Sequence, residues 1–444
     1  MSEIDNKDAV LILTDDRYTP ASKTSRFIMQ ALRRLGIRAW VRDTSDVRYL
    51  FKTLEAKNLE KHLGASGMIH VDRFKSFVDL AGVQSILSLD LHWLFTPEPF
   101  CSNDKIKKIV SLWFDDLRTA CTSQDAIKPT DRSFQETIGH QKVHHCFYGQ
   151  AQMDEGKLLG ITNTHFSQLA APLEFAQRET DDLRHPKKLA FIGNPGIPTP
   201  PSEKILNLLN NKASLKELRK ASAMDLLQNP SMDHFRKLHT NIPKIIEQAI
   251  EQKLHEPYTS ALQLLLKQEK NFPGAFDALN KSGNVLEAAI LIRLVNRYDR
   301  PALVHRLYQH GFVRVFSAED EWKPYGIEAK PLIRFHDLCR VYRAHIAHLN
   351  GANSARDATA NEKLFEIAAC GRASLNLTSP DILKAFDSPT EIIACDTLEE
   401  LESKAHDLLA QPEQLLEIGN NARQRVIREH TWDKRIKTLF KSLP

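Results

Sequence analysis

NEKLFEIAACG, at residues 361–371, is the most informative stretch of the sequence. Its apolar residues recur at helical spacing, and Gly371 is the residue type that commonly follows the last turn of a helix. A small, polar loop at 351–359 precedes it, so the free backbone N–H groups and the positive end of the helix dipole face whatever binds there. A diphosphate is suited to such a helix end. The stretch therefore predicts a phosphate-binding helix.

Short apolar runs alternate with helical patterns along the rest of the chain. This alternation is typical of an α/β protein whose parallel sheets are covered by helices on both faces. No GxGxxG motif follows the first run, which argues against a standard NAD enzyme. The predicted strands lie at residues 9–13, 37–41, 67–71, 83–89, 109–114, 144–147, 189–192, 312–316, 345–349, 373–377 and 391–394.

The domain organisation follows from the length of 444 residues and from one charged segment. A chain of this length exceeds one ordinary core, which favours two domains. The segment 177–188, QRETDDLRHPKK, is strand-poor and predicts a linker. We therefore expect Rossmann-like domains at 1–180 and 181–444, with a helical insertion at about 202–300. Ligands are expected in the cleft that faces the carboxyl ends of both sheets.

The composition excludes several classes of protein. With 60 basic and 56 acidic residues, the net charge of +4 does not identify a nucleic-acid binder. The six cysteines are scattered singly, without a CxxC pair or a metal-ligand cluster, and we interpret them as reduced thiols. The N-terminus lacks the order of a secretory signal, and no apolar run reaches membrane-spanning length. We expect a cytoplasmic protein without a metal site or a transmembrane segment.

Three motifs occur in a defined order in the C-terminal part: YRAHIAHLN at 342–350, NEKLFEIAACG at 361–371 and EHTWDKR at 429–435. This order and spacing resembles the CgeB-like (spore maturation protein) family of GT-B glycosyltransferases, which is related to glycosyl transferase group 1. The resemblance extends from about residue 188 to the end and is weaker before it. It implies two Rossmann-like domains that face a cleft. It also implies metal-independent transfer of a sugar from a nucleotide sugar, expected to be UDP-linked, to an acceptor hydroxyl, with no further cofactor.

The resemblance assigns the donor site to the C-terminal domain. Glu366 would accept hydrogen bonds from two ribose hydroxyls, and the alternative is a solvated or salt-bridged helix carboxylate. Lys363, where the family usually has arginine, and Arg356 would neutralise the leaving diphosphate, and the alternative for both is an exposed charge. Tyr325, or Trp322 close to it, would stack on the base. The remaining predicted donor-binding residues are Asn361, Gly193, Asn194, Arg314 and Gly371.

Catalytic and acceptor-binding candidates follow the strands of the N-terminal half. Asp115 and Asp116 come directly after the run at 109–114, where a general base would face the cleft, and the alternative is a helix cap or turn. His92 has a similar place after the run at 83–89, with a structural histidine as its alternative. We interpret the adjacent pair His144-His145 as structural, because neighbouring strand residues point to opposite faces. The predicted acceptor contacts follow the first run: Asp15, Asp16 and Arg17.

The acceptor remains open between a glycan, a protein and a modified nucleic acid such as DNA with hydroxylated bases. Two other functions fit the same pattern: a non-hydrolysing UDP-sugar epimerase, and a non-catalytic module that binds nucleotide sugars or glycans. Product analysis without an acceptor separates the epimerase from the transferase. Harmless replacement of all three base candidates would favour the binding module. A steep salt dependence of duplex binding would support a nucleic-acid acceptor.

Overall fold

The computed structural model describes residues 9–14, 19–43, 79, 81–89, 101, 103–113, 138–177, 184–196, 200–318, 320–351 and 359–443. The chain divides into two compact units. Unit 1 comprises Met1–Tyr148, Gln152–Gln168 and Trp432–Pro444, and unit 2 comprises Gly149–Ala151 and Leu169–Thr431.

The described strands are short and are separated by helices. They are β1 (Ala9–Thr14), β2 (Arg38–Asp43), β3 (Ser85–Leu89), β4 (Lys108–Trp113), β5 (Val143–Phe147), β6 (Thr164–Phe166), β7 (His185–Ile192), β8 (Val313–Phe316), β9 (His345–Asn350), β10 (Ala373–Leu377) and β11 (Ile393–Cys395).

The described α-helices surround these strands and fill the interval between β7 and β8. They are α1 (Thr19–Arg34), α2 (Gln150–Leu158), α3 (Leu173–Gln177), α4 (Glu203–Asn210), α5 (Leu215–Leu227), α6 (Ser231–Leu238), α7 (Ile242–His255), α8 (Ala261–Gln268), α9 (Ala275–Lys281), α10 (Val285–Arg293), α11 (Asp299–Gln309), α12 (Leu338–Ala344), α13 (Glu362–Ala369), α14 (Pro380–Ala385), α15 (Leu398–Leu409), α16 (Pro412–Arg425) and α17 (Trp432–Ser442).

Unit 1 contains a six-stranded parallel sheet in the order β2-β1-β3-β4-β5-β6. Residues Ala9 to Leu13 of β1 are at most 1% exposed, which is the continuous burial of a central parallel strand. The sequence did not predict β6, because its three residues are half-buried and form no apolar run. The predicted strand at 67–71 lies outside the described residues.

The C-terminal helix α17 belongs to unit 1, although it follows unit 2 in the sequence. Arg34 at the end of α1 binds Asp433 with two hydrogen bonds, from Nε to Oδ1 at 2.6 Å and from Nη2 to Oδ2 at 2.8 Å. Lys108 Nζ donates to the carbonyl of Leu443 at 2.8 Å. A bidentate arginine–carboxylate pair fixes geometry as well as adding energy. The units therefore differ from the predicted domains in three places: α17 belongs to unit 1, and residues 149–151 and 169–177 belong to unit 2.

Unit 2 contains a five-stranded parallel sheet in the order β11-β10-β9-β7-β8. Leu189, Ile346 and Leu375, on its three central strands, are fully buried in one hydrophobic core. Strand β7 begins at His185, inside the predicted linker at 177–188, so this part of the linker prediction was wrong. The first half of β7 contains charged residues and forms no apolar run, so its start could not be predicted from apolar runs.

A helical segment lies between β7 and β8, in agreement with the predicted insertion. Its helices α4, α5 and α11 share the hydrophobic core of the sheet, through residues such as Ile205, Leu218 and Leu303. A bidentate pair of Arg219 with Asp299, with Nη2 to Oδ2 at 2.6 Å, joins α5 to α11. In the described part of the chain, no helix combines the length and apolar character needed to cross a bilayer.

Candidate functional site

The N-terminus of α13 is built by Asn361, which is the N-cap residue. Its backbone is extended, with φ −75° and ψ 165°, and its side-chain Oδ1 accepts a hydrogen bond from Leu364 N at 3.1 Å. Its Nδ2 donates to Asn350 Oδ1, the last residue of β9, at 2.9 Å. The predicted helix is therefore present. Asn361 itself caps the helix and attaches it to the sheet, so its side chain has a structural task.

A chain of three asparagine amides continues from this cap into the sheet. Asn350 Nδ2 donates to Asn376 Oδ1 on the neighbouring strand β10 at 2.9 Å. Asn376 Nδ2 in turn donates to Ser374 Oγ at 3.0 Å and to the Ile393 carbonyl at 3.2 Å. Asn350 is 4% exposed and Asn376 is fully buried. The hydrogen bonds all run in one direction, and they hold the first turn of α13 at the carboxyl ends of β9 and β10.

The carboxyl end of β7 meets the same turn of α13. Lys363 Nζ donates to the Ile192 carbonyl at 2.6 Å. Gly193 has φ 147°, and a Cβ on it would lie 3.0 Å from Lys363 Nζ. Its N–H donates to Phe316 O at 2.9 Å, and its carbonyl accepts from Trp322 Nε1 at 2.8 Å. Glycine is favoured here because other residues rarely adopt this φ, and a Cβ would also require the Lys363 ammonium group to move by a few tenths of an ångström.

Arg300, which the sequence analysis did not identify, adds a second cation beside these strand ends. Its Nη1 donates to the carbonyl of Asn194 at 3.1 Å and to Asn194 Oδ1 at 3.3 Å. A Cβ on Gly351, directly after β9, would lie 3.0 Å from Arg300 Cγ. The arginine therefore lies between the ends of β7 and β9. The sequence signal for it was weak, because Arg300 is one of several basic residues in a helical segment.

Glu366 is 2% exposed, which excludes the solvated carboxylate that was one alternative to the predicted donor-binding role. The hydroxyl of Tyr342, itself 1% exposed, donates to Glu366 Oε2 at 3.0 Å. Burial, and then the adjacent Glu366 carboxylate, raise the pKa of Tyr342 well above its usual value. The phenol therefore keeps its proton and acts as the donor of this hydrogen bond.

Two predicted donor contacts are in other places. Tyr325 and Trp322 are 3% and 0% exposed and lie in the hydrophobic core, where the Trp322 ring packs edge-on against Phe191 at 5.6 Å. Neither ring has a free face for a base, so this prediction was wrong. Arg314 Nη1 lies 2.9 Å from His185 Nε2, at the amino end of β7. The backbone of Arg314 pairs with Ala190, but its guanidinium group extends toward the amino end of β7 and away from Gly193. The structure therefore does not place this charge at the site.

Gly371 ends α13 with φ 70°, and its N–H donates to the Ala368 carbonyl at 2.9 Å. This left-handed residue is a helix C-cap and lies at the far end of the helix from Asn361. We assign it to the fold. Seven other predicted site residues lie outside the described residues: Asp15, Asp16, Arg17, His92, Asp115, Asp116 and Arg356.

The pair His144-His145 has two unrelated sets of contacts, in agreement with a structural interpretation. His144 Nδ1 lies 3.3 Å from His165 Nε2, and burial lowers the pKa of His144 to about 4. His145 Nδ1 accepts from Trp113 Nε1 at 3.3 Å. Within the ranges that the structure describes, no three histidine, cysteine, aspartate or glutamate side chains form a metal-binding group.

The model of a protein family described as glycosyl transferase-like matches residues 298–441 of the chain. No curated protein matches the sequence significantly. Among solved structures, the chain is similar to HepE of Anabaena in complex with UDP-glucose (10% identity, TM-score 0.49, 98% of this chain and 99% of that chain). It is also similar to sucrose-phosphate synthase of Thermosynechococcus elongatus (11%, 0.47, 98% and 99%). A third is the glucosyltransferase BGT of phage T4 in complex with UDP-glucose (11%, 0.45, 97% and 98%).

Proposed function

We propose that the chain is a GT-B glycosyltransferase that moves a sugar from a nucleoside-diphosphate sugar to an acceptor hydroxyl. The observation that carries the proposal is the anchored N-terminus of α13, which lies within the region at 298–441 that matches the glycosyl transferase-like family. A helix end held at the carboxyl ends of parallel strands is where an α/β protein binds its ligands. Unit 2 is thus the proposed donor unit.

The diphosphate is proposed to bind between the first turn of α13, Lys363 and Arg300. The helix dipole supplies positive potential, and the two side chains supply formal charges near the ends of β7 and β9. Such groups stabilise the negative charge that develops as the diphosphate leaves, which is the task of a metal ion in other transferases. The proposal is therefore metal-independent transfer, and Arg356 stays a predicted third cation.

Glu366 is proposed to accept hydrogen bonds from the ribose hydroxyls of the nucleotide. In the reaction, the acceptor oxygen forms a bond to the anomeric carbon, the bond from that carbon to the diphosphate oxygen breaks, and a base takes the hydroxyl proton. The proposed base is Asp115, Asp116 or His92, and acceptor contacts at 15–17 stay predictions. Holding the two reactants together supplies much of the rate.

The finer identity of the protein is also a proposal. The three motifs at 342–350, 361–371 and 429–435 support a place in the CgeB-like branch of these enzymes. We propose a UDP-linked donor, with UDP-glucose as the first to test because HepE and the T4 enzyme were solved with it. A glycan, a protein and modified DNA are the proposed acceptor classes, and a cytoplasmic location remains our prediction.

A donor screen tests the proposal. Purified protein is mixed with UDP-, GDP-, ADP- and dTDP-sugars, and its melting temperature is measured. A donor at 100 times its Kd stabilises the folded state by about 2.7 kcal/mol, so one nucleotide should raise the melting temperature clearly. Glu366→Gln should remove that rise, and Glu417→Gln on the exposed surface of α16 should keep it. Release of nucleoside diphosphate with candidate acceptors then measures transfer.

Two results would contradict the proposal. If none of the four nucleotide sugars changes the melting temperature, unit 2 has no donor site of this kind. If Glu366→Gln keeps the full rise, the carboxylate has no part in donor binding. Interconversion of the sugar without any acceptor would favour the epimerase instead.

A further inference from the structure

Two buried residues hold the Glu366 carboxylate in place through a chain of hydrogen bonds: Tyr342 binds the carboxylate, and His348 binds Tyr342. His348 on β9 donates from Nε2 to the Tyr342 carbonyl at 2.8 Å. The His348 ring also meets the Tyr342 ring edge-on, with centroids 5.1 Å apart at 81°. Tyr342 then donates its hydroxyl to Glu366 Oε2 at 3.0 Å. The chain therefore joins the sheet to α13 through α12.

Each member of this chain is almost completely buried. His348 and Tyr342 are 1% exposed and Glu366 is 2% exposed, so thermal motion of the three side chains is restricted by packing. Burial lowers the pKa of His348 to about 3, so the ring is neutral and carries its proton on the nitrogen that donates. The direction of every hydrogen bond is thus defined.

A carboxylate has about four acceptor positions, and the Tyr342 hydroxyl uses one of them. A hydrogen bond to a charged group is worth about 1.5–3 kcal/mol, which is enough to select one rotamer of a glutamate. The hydrogen bond also fixes the position of Oε2, and the close packing around the buried side chain restricts rotation of the carboxylate plane. A ribose with two vicinal hydroxyls requires such a fixed plane, because both hydrogen bonds depend on it.

We propose that Tyr342 is a positioning residue, which orients the Glu366 carboxylate toward the ribose hydroxyls of the bound nucleotide, with His348 holding Tyr342 in place. The inference rests on the proposed function, because it deepens the role given to Glu366. It adds a specificity determinant: the Tyr342–Glu366 pair distinguishes a ribonucleotide from a deoxyribonucleotide. A pair that only joins α12 to α13 would have no such effect.

The test compares the binding of UDP and 2′-deoxy-UDP by calorimetry. The wild type should bind UDP about tenfold more tightly, the equivalent of one hydrogen bond to a charged group. Tyr342→Phe should reduce that ratio to about twofold or less, and the Kd of 2′-deoxy-UDP, which keeps only the 3′-hydroxyl, should rise less than the Kd of UDP. Tyr325→Phe is the matched control, because its buried hydroxyl has no hydrogen-bond partner in the structure, and the ratio should stay at the wild-type value.

The outcomes distinguish failure of the proposed function from failure of the role proposed for Tyr342. If the wild type binds neither nucleotide, the proposed function fails and this inference fails with it. If the wild type prefers UDP and Tyr342→Phe keeps that preference, only the inference fails. Equal weakening of both nucleotides would also overturn it, because that result indicates a purely structural role. Should Tyr342→Phe not fold, His348→Gln, which removes the ring contact, should lower the ratio by about threefold, and an unchanged ratio would overturn the inference.

Discussion

Asn350 is the central member of the asparagine chain, and Asn350→Asp is the change that tests the chain with the least alteration of shape. The new side chain keeps an oxygen for Asn361 Nδ2. It loses the N–H group that now donates to Asn376 Oδ1 at 2.9 Å. When the new carboxyl is ionised, one of its oxygens faces Asn376 Oδ1, and the two oxygens repel each other. Water cannot relieve this repulsion, because residue 350 is only 4% exposed. When protonated, it carries an O–H that can donate to Asn376.

The expected cost therefore depends on pH. Desolvation raises the pKa of a fully buried carboxyl by about 3–5 units, and the Asn376 oxygen acts in the same direction. Arg300 and the positive end of α13, both close to the end of β9, act in the opposite direction. We therefore expect a net rise of about 2 units above the ordinary 3.9. Each unit is worth about 1.36 kcal/mol, so ionisation costs the folded state about 3 kcal/mol. Because the folded-state pKa is the higher one, this stability is present below about pH 4, is lost between about pH 4 and 6, and stays lost above that range.

The assay is thermal unfolding of wild type and variant at several values between pH 4.5 and 7.5. For a unit of this size, 1 kcal/mol corresponds to about 2–4 °C. The difference in melting temperature should therefore grow to about 6–12 °C at pH 7.5 and be clearly smaller at pH 4.5. Asn207→Asp, on the exposed face of α4, is the control and should show a small difference at every pH. A pH-independent difference for Asn350→Asp, or none at pH 7.5, would refute the hydrogen-bond directions that we assign.

Two glycine substitutions test close approaches at both ends of α13. Gly193→Ala should cost about 1–3 kcal/mol by thermal unfolding and weaken nucleotide binding, because its φ is 147° and its Cβ would lie 3.0 Å from Lys363 Nζ. Gly326→Ala, with φ 67° and nothing within 4 Å of its Cβ, is the control for strain alone, and an equal loss of nucleotide affinity in both would contradict the contact. Gly419→Ala should lower the melting temperature, because its Cβ would lie 2.5 Å from the Gly371 carbonyl oxygen. Such overpacking costs about 1–3 kcal/mol. The gain in helix propensity from glycine to alanine is smaller, at about 1 kcal/mol. A higher melting temperature for Gly419→Ala would contradict this prediction, because it would show that the gain in helix propensity exceeds the cost of overpacking.

The parallel sheets could be predicted from the sequence because their central strands are continuous apolar runs. Residues 9–13 and 189–192 are of this kind, and both lie in strands of the structure. The return of α17 to unit 1 could not be predicted. It depends on the pair of Arg34 with Asp433, which are 399 residues apart, and one charged residue does not identify its partner at such a distance. The early start of β7 was missed because a strand with charged residues has no apolar period.

In the candidate site, too, the contacts between residues close in the sequence could be predicted, and the contacts between distant residues could not. The α13 cap was predictable because Asn361 and Leu364 are one turn apart, and capping is a local property. The contacts of Asn350 with Asn376 and of Tyr342 with Glu366 depend on strand order and helix packing, which no short motif records. Tyr325 was misplaced for a related reason: an aromatic residue in a loop pattern does not show whether its ring is buried.

A crystal structure of the protein with UDP tests the central claim most directly. The diphosphate should lie at the first turn of α13, within hydrogen-bond distance of Lys363 or Arg300. A ribose hydroxyl should lie about 2.5–3.0 Å from the Glu366 carboxylate, while Tyr342 keeps its hydrogen bond to Oε2. UDP bound away from α13, or a ribose with no contact to Glu366, would contradict the account.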